Sequence, residues 1–155
     1  MEAQEIANRI INCFIKAGKL IIFGNGGSAT QASHFAAEFI CKYKKVRRPL
    51  PAIALSDLAC LTAIANDYGW EHIFSRQISV LAKKGDIVIG LSTSGSSENV
   101  LNGLKKAYDM GIETLDFPRL GETTGEIQNY QVKLMHEVCE IVEDHLYFKS
   151  YRNDN

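Results

Sequence analysis

The sequence predicts a three-layer αβα sandwich, a parallel sheet with helices on both faces. Three observations carry that prediction. Short unbroken apolar runs of strand length alternate with stretches of helical periodicity. Two of the strands are followed directly by turns rich in glycine or in serine. The composition, 46% hydrophobic and 23% charged over 155 residues, is that of a globular chain, expected to form one domain over 1–155.

Apolar residues at Ile6, Ile10, Ile11 and Phe14 draw a helical stripe over 5–17, with Gly18 placed to end it. Leu20-Ile21-Ile22-Phe23, bounded by glycines, reads as a buried strand. A glycine turn opens a helix over about 28–43. Pro51-Ala52-Ile53-Ala54-Leu55 reads as a second strand, followed by helices over about 57–65 and 71–82. Asp86-Ile87-Val88-Ile89-Gly90-Leu91 is a third strand, then a helix over 98–109 ended by Gly111. Residues 112–115 form a weaker fourth strand. Residues 118–125 are loop-like, and a long helix over about 126–148 closes the chain. Strands joined through helices form right-handed units, so the sheet is parallel, and its ligands bind beyond the carboxyl ends of the strands.

The charge balance excludes several roles. Seventeen Lys and Arg face eighteen Asp and Glu, a formal net charge of -1, so no general basic field awaits a nucleic acid or an anionic membrane. No apolar run approaches the ~18 residues of a spanning helix, and the start carries acid rather than a basic leader. Cys13, Cys41, Cys60 and Cys139 are far apart, without a Cys-x-x-Cys pair. That spacing suits free thiols in a reducing cytoplasm.

Two loops sit where the sheet binds ligands. Gly24-Asn25-Gly26-Gly27-Ser28 follows the first strand and opens a helix. Glycines let backbone N–H groups approach an anion, and the helix adds the positive end of its dipole. The plain alternative is a tight turn that needs glycine. Gly24, Gly26 and Ala29 also satisfy a loose dinucleotide fingerprint. The acid that should follow about 20 residues later is missing, so no nucleotide cofactor is expected. Ser92-Thr93-Ser94-Gly95-Ser96-Ser97 follows the third strand. Its hydroxyls can donate to phosphate oxygens, and it contains no Lys or Arg, so neutral dipoles would do most of the holding. A serine-rich helix cap is the alternative.

Titratable residues cluster on two helices. His34 and Glu38 stand four apart and share a face, as a metal or acid–base pair or as solvated surface. Gln128 and His136 lie eight apart, roughly 80° around the last helix. Asn66-Asp67 before Tyr68-Gly69 is either a ligand pair or an Asx turn at a helix end.

Together these stretches resemble the SIS (sugar isomerase) domain, of flavodoxin-like or Rossmann-like architecture, and within it the phosphoheptose isomerases. The resemblance rests on the two loops, His34-Phe35-Ala36-Ala37-Glu38, Pro51-Ala52-Ile53-Ala54-Leu55, Ala65-Asn66-Asp67-Tyr68-Gly69, Ile73-Phe74-Ser75-Arg76-Gln77, Gly85-Asp86, and Ile127-Gln128 with His136. It implies that Asn25, Gly26, Gly27, Ser28, Ser92, Thr93, Ser94 and Ser97 contact a sugar phosphate. Asn66, Asp67, Glu38 and Gln128 meet its sugar end. It names Glu38 and His136 as the catalytic pair, with the division of acid and base between them open. It matches His34, Glu38, Gln128 and His136 to the ligands of a Zn²⁺, acceptable donors for that ion. The implied reaction converts sedoheptulose 7-phosphate to D-glycero-D-manno-heptose 7-phosphate through a cis-enediol, the first step of nucleotide-activated heptose synthesis, in the cytoplasm. The implied assembly is a homotetramer with shared active sites, or a dimer.

Two segments depart from the family's pattern. About one helix is missing before 5–17. Between Gly111 and Gln128 a strand, a helix and a further strand shrink to 112–125. A five-stranded sheet would become three or four strands, and the last helix would need another path to the site. The alternatives are a non-catalytic SIS module that binds a replication initiator or senses a sugar phosphate. The presence of both Glu38 and His136 favours the enzyme.

Overall fold

The computed structural model describes residues 2–153, with side-chain surroundings described through 146. Strands β1 (Leu20–Gly24), β2 (Ala52–Ala54), β3 (Ile87–Leu91) and β4 (Glu113–Asp116) form one parallel sheet in the order β2-β1-β3-β4. Leu20 pairs with Ala52 on one side and Ile87 on the other, and Ile87 with Glu113. The order reverses between β1 and β3, so the two ligand-type loops leave neighbouring strands at the sheet's switch point.

Alternation along the strands makes three layers. Leu20, Ile22, Ile87, Ile89 and Leu115 face α1 (Ala3–Ile15), α2 (Gly27–Ile40) and α6 (Thr124–Asn153). Ile21, Phe23 and Val88 face α3 (Leu58–Tyr68), α4 (Ser75–Leu81) and α5 (Glu98–Asp109). Both inner strands are wholly buried, as a central parallel strand requires. No helix among the described residues is long and apolar enough to cross a membrane.

Several boundaries differ from expectation for identifiable reasons. At the end of α1 the left-handed residue is Ala17 (φ 57°), not Gly18. The Gly18 N–H reaches Cys13 O at 2.9 Å and Ala17 N–H reaches Phe14 O at 3.2 Å, the paired bonds of a Schellman end. Gly18 is required for space, because a Cβ there would collide with the Gly85 carbonyl. The expected helix over 71–82 is a 3₁₀ turn (Trp70–His72) followed by α4, separated at Ile73 and Phe74, whose side chains are buried in the core. Helix α6 starts two residues early because Thr123 and Glu126 form a capping box. The Glu126 carboxylate accepts the Glu122 and Thr123 N–H groups, both at 2.9 Å, and Thr123 Oγ1 accepts from Glu126 N at 3.3 Å.

The most consequential difference is at the end of α2, which stops at Ile40 instead of continuing to 43. Arg47 folds back and donates to the carbonyls of Glu38 and Phe39, each at 2.7 Å, satisfying groups a helix end leaves open. Its Nε lies 3.0 Å from the Glu143 carboxylate on α6, with both side chains at most 3% exposed. Glu143 also accepts the N–H groups of Tyr43, Lys44 and Lys45 at 2.7–3.0 Å. Burial works to raise the Glu143 pKa, but these three donors and Arg47 outweigh it and hold the group below the ordinary carboxylate value.

Removing one member of this buried pair leaves the other charge uncompensated. Glu143→Ala is expected to lower unfolding free energy by about 3–5 kcal/mol in urea titration. Because the folded-state pKa is depressed, the stabilisation is complete above the unfolded value. It is lost as pH falls through the folded one, so the gap between wild type and Glu143→Gln should close below about pH 4. A gap unchanged from pH 7 to pH 3 would remove Glu143's charge from the account.

Candidate active site

Helices α2 and α6 lie side by side and their contacts advance together. Gln31 Nε2 donates to Gln128 O at 2.9 Å. Farther along, the His34 and His136 rings meet edge-on with centroids 5.3 Å apart. Farther still, the segment after α2 is tied to Glu143. His34 Nε2 is hydrogen-bonded to Glu38 Oε1 at 2.8 Å, which fixes the direction of the carboxylate. Potential ligand atoms of His34, Glu38 and His136 all lie within 4.8 Å of one another. The shortened connection before α6 therefore still delivers His136 to the pair on α2. Tyr43 stacks on His136, 5.1 Å between centroids and 15° from parallel.

This trio is open enough to meet a substrate. The Glu38 side chain is 19% exposed and that of His34 46%. The neighbouring thiol of Cys139 is held protonated, its pKa raised by burial first and then by the Glu38 charge. Cys13 is pushed up to about 11, also mainly by burial. Neither buried thiol is poised as a nucleophile.

The first loop is a glycine turn that opens α2. Gly26 has φ 54°, ψ -121°, which opens the turn into α2. Gly24 is packed tightly, since a Cβ there would lie 2.6 Å from Leu91 O and 2.7 Å from Ser28 Cβ. Ser28 is buried, while Gly26 and Gly27 are exposed. Gln128 is brought to this loop, where its amide occupies the space a Gly27 side chain would need.

The second loop is a knot of hydroxyls. Ser92 Oγ lies 3.4 Å from both Ser94 Oγ and Ser97 Oγ and accepts from Gly95 N at 3.1 Å. Ser94 Oγ accepts from Ser96 N at 3.1 Å. Ser97 occupies the N-cap of α5 without a side-chain cap bond, so its hydroxyl is not committed to the helix. Thr93 is half-buried beside them.

A residue that sequence reasoning missed joins the two loops. Asn99, 1% exposed in the first turn of α5, exchanges two amide hydrogen bonds with Asn25, each 2.8 Å. Nothing local announces this pairing across 74 positions; an Asn buried inside a helix is its only trace. Asn66 and Asp67 are exposed at the end of α3, bonded to each other at 2.8 Å. Helix α3 packs on the core of the opposite sheet face from the trio.

Comparisons with known proteins point to one family. The SIS domain family profile matches residues 1–116. The chain is 45% identical over 157 residues to the phosphoheptose isomerase of Aquifex aeolicus, covering 90% of this chain and 82% of that one. It is 41% identical over 168 residues to that of Helicobacter pylori, covering 95% and 88%. The solved phosphoheptose isomerase of Neisseria gonorrhoeae superimposes with a TM-score of 0.86 at 32% identity, over 92% of this chain and 85% of that one.

The amide pair sets the distance between the loops. Asn99→Ala leaves Asn25 without its partner and is expected to cost about 1–3 kcal/mol. Amide hydrogen exchange should rise in both loops together. Faster exchange confined to the α5 turn would mean the bridge carries no coupling.

Proposed function

The chain belongs to the SIS-domain family and, within it, to the phosphoheptose isomerases; on that premise we propose that it interconverts sedoheptulose 7-phosphate and D-glycero-D-manno-heptose 7-phosphate. The observation that supports this most is the convergence of Glu38 and His136 from separate helices, within 4.8 Å, on the side of the sheet that carries the glycine loop. A module that only binds has no need of a carboxylate and an imidazole held together. Along α2 the glycine loop lies about 10 Å from His34 and about 16 Å from Glu38 at ~1.5 Å per residue, less the backward lean of the side chains. That separation suits a long sugar with its phosphate and carbonyl at opposite ends.

In the direction from ketose to aldose, Glu38 takes a proton from C1 while His136 protonates O2, giving the cis-enediol. His136 then removes the proton from O1 as Glu38 returns the carbon proton to C2. Each group ends as it began. His34 keeps the carboxylate aimed, and Tyr43 holds the imidazole plane. Asn25, Gly26, Gly27, Ser28, Ser92, Thr93, Ser94 and Ser97 receive the phosphate.

His34, Glu38 and His136 fit a divalent metal by donor chemistry and would hold it; Gln128, whose amide lies against Gly27, would have to swing away from the glycine loop to join them as the fourth ligand. With the ion bound, His34 and Glu38 would give up their mutual hydrogen bond to serve as ligands. When bound, zinc supplies Lewis-acid polarisation of the substrate's carbonyl.

A second copy of the chain completes the proposed site. Leu58, Tyr68, Trp70 and Val80 are all more than half exposed on α3, the 3₁₀ turn and α4, and α3 has no fully buried residue. Covering this apolar side would carry Asn66 and Asp67 toward a neighbouring subunit's sugar. The assembly proposed is a tetramer or a dimer of a cytoplasmic enzyme at the start of nucleotide-activated heptose synthesis.

The reaction is followed by NMR of sedoheptulose 7-phosphate with zinc added or chelated. Wild type should form the aldose, and Glu38→Gln or His136→Gln should lower kcat at least about a hundredfold. Bound but unchanged ketose would turn the reading to a sensor. Sedimentation should give a dimer or tetramer, and Trp70→Glu with Val80→Glu should dissociate it. A wild-type monomer would defeat the shared-site arrangement.

A further inference from the structure

The serine loop contains no cation, yet the fold brings one to it. Arg119 lies in the segment after β4 whose sequence departs from the family's pattern. Its guanidinium sits over Gly95, with Cζ 2.9 Å, and Nε and Nη2 3.1 Å, from the place a Cβ of that glycine would fill. Gly95 itself has φ +70° and donates to Ser92, the centre of the hydroxyl knot.

The position is held from the sheet. Gly90 pairs with Asp116, and Phe117 N bonds Gly90 O at 3.2 Å, so the ends of β3 and β4 are level. From there Asp116 grips Arg119 through two bonds of 2.6 and 2.8 Å. A guanidinium has five N–H donors, and the carboxylate occupies two. Three remain, at a guanidinium packed on the glycine within the serine loop.

We infer that Arg119 is a phosphate-binding residue of this chain, closing the serine loop with a charged fork that Asp116 aims. The inference rests on the sugar-phosphate reading of that loop. It replaces the expectation of a grip made mainly by neutral dipoles. The neighbouring Asp116 and Glu98 carboxylates temper the attraction, so the anion can leave after turnover.

The test is calorimetric titration of the full chain with inorganic phosphate and with sedoheptulose 7-phosphate, wild type against Arg119→Gln. The side chain is partly exposed and lies outside both core clusters, so a melting curve within a few degrees of wild type is expected and checks folding. The variant should lose about tenfold or more in affinity for both ligands, the size of a lost charged hydrogen bond. Its KM should rise with kcat changed less than twofold, and its residual binding should depend less on salt. Equal phosphate affinity in the folded variant overturns the assignment, as does a wild type that binds no phosphate. A wild type that binds phosphate through Arg119 but isomerises nothing leaves the assignment standing and sinks the isomerase reading instead.

Discussion

Everything at the α2–α6 seam depends on one buried carboxylate. Glu143 accepts three successive backbone N–H groups and faces the guanidinium that caps α2. Four residues of the segment after α2 are thereby fastened to a single side chain on α6. Burying a charge without such partners is prohibitively costly, so the geometry has little freedom to drift. The consequence reaches the proposed catalytic pair directly. Tyr43, the first residue fastened, lies flat against His136, and Glu38 belongs to the helix turn whose carbonyls Arg47 holds. A structural ion pair thus sets the relative height of the carboxylate and the imidazole.

The sheet solves the other half of the problem. With order β2-β1-β3-β4 the glycine loop and the serine loop emerge from adjacent strands. The Asn25–Asn99 exchange then locks their spacing without using charge. Neutral amides are suitable here. A charged bridge would compete with the phosphate proposed to bind here, whereas amides leave the local potential nearly unchanged.

Much of this was legible in the sequence because it was local. Unbroken apolar runs mark β1 and β3 through their burial on both faces, and Gly26 marks its loop through backbone freedom. His34 and Glu38 share a helix face by spacing alone. What the sequence hid was long-range. The stop at Ile40 depends on Arg47 and on Glu143, about a hundred residues farther along. The Asn99 bridge and the Arg119 fork depend on partners in other elements. Periodicity reports which face a residue occupies and nothing about what another element brings to it. The 3₁₀ turn before α4 was lost for a related reason. Ile73 and Phe74 fit a helical pattern and keep right-handed helical angles, but the Ile73 carbonyl is taken by the Gln77 side chain at 2.8 Å, a contact that periodicity does not report.

The shortened connection between β4 and α6 illustrates how a fold tolerates loss. A parallel sheet can end early if its last strand is covered and the next element still docks. Here Phe117, wholly buried, packs edge-on against Phe35 of α2, 5.9 Å between centroids. Pro118 O accepts from Gln131 of α6 at 3.2 Å, and the capping box at Thr123 restarts the helix at once. Leu134, Met135, Val138, Cys139 and Val142 then form the buried stripe of α6. That stripe fixes the helix's rotation, and the rotation sets where His136 points. The path into α6 was free to change because the apolar stripe that sets the helix's rotation lies within the helix, downstream of that connection.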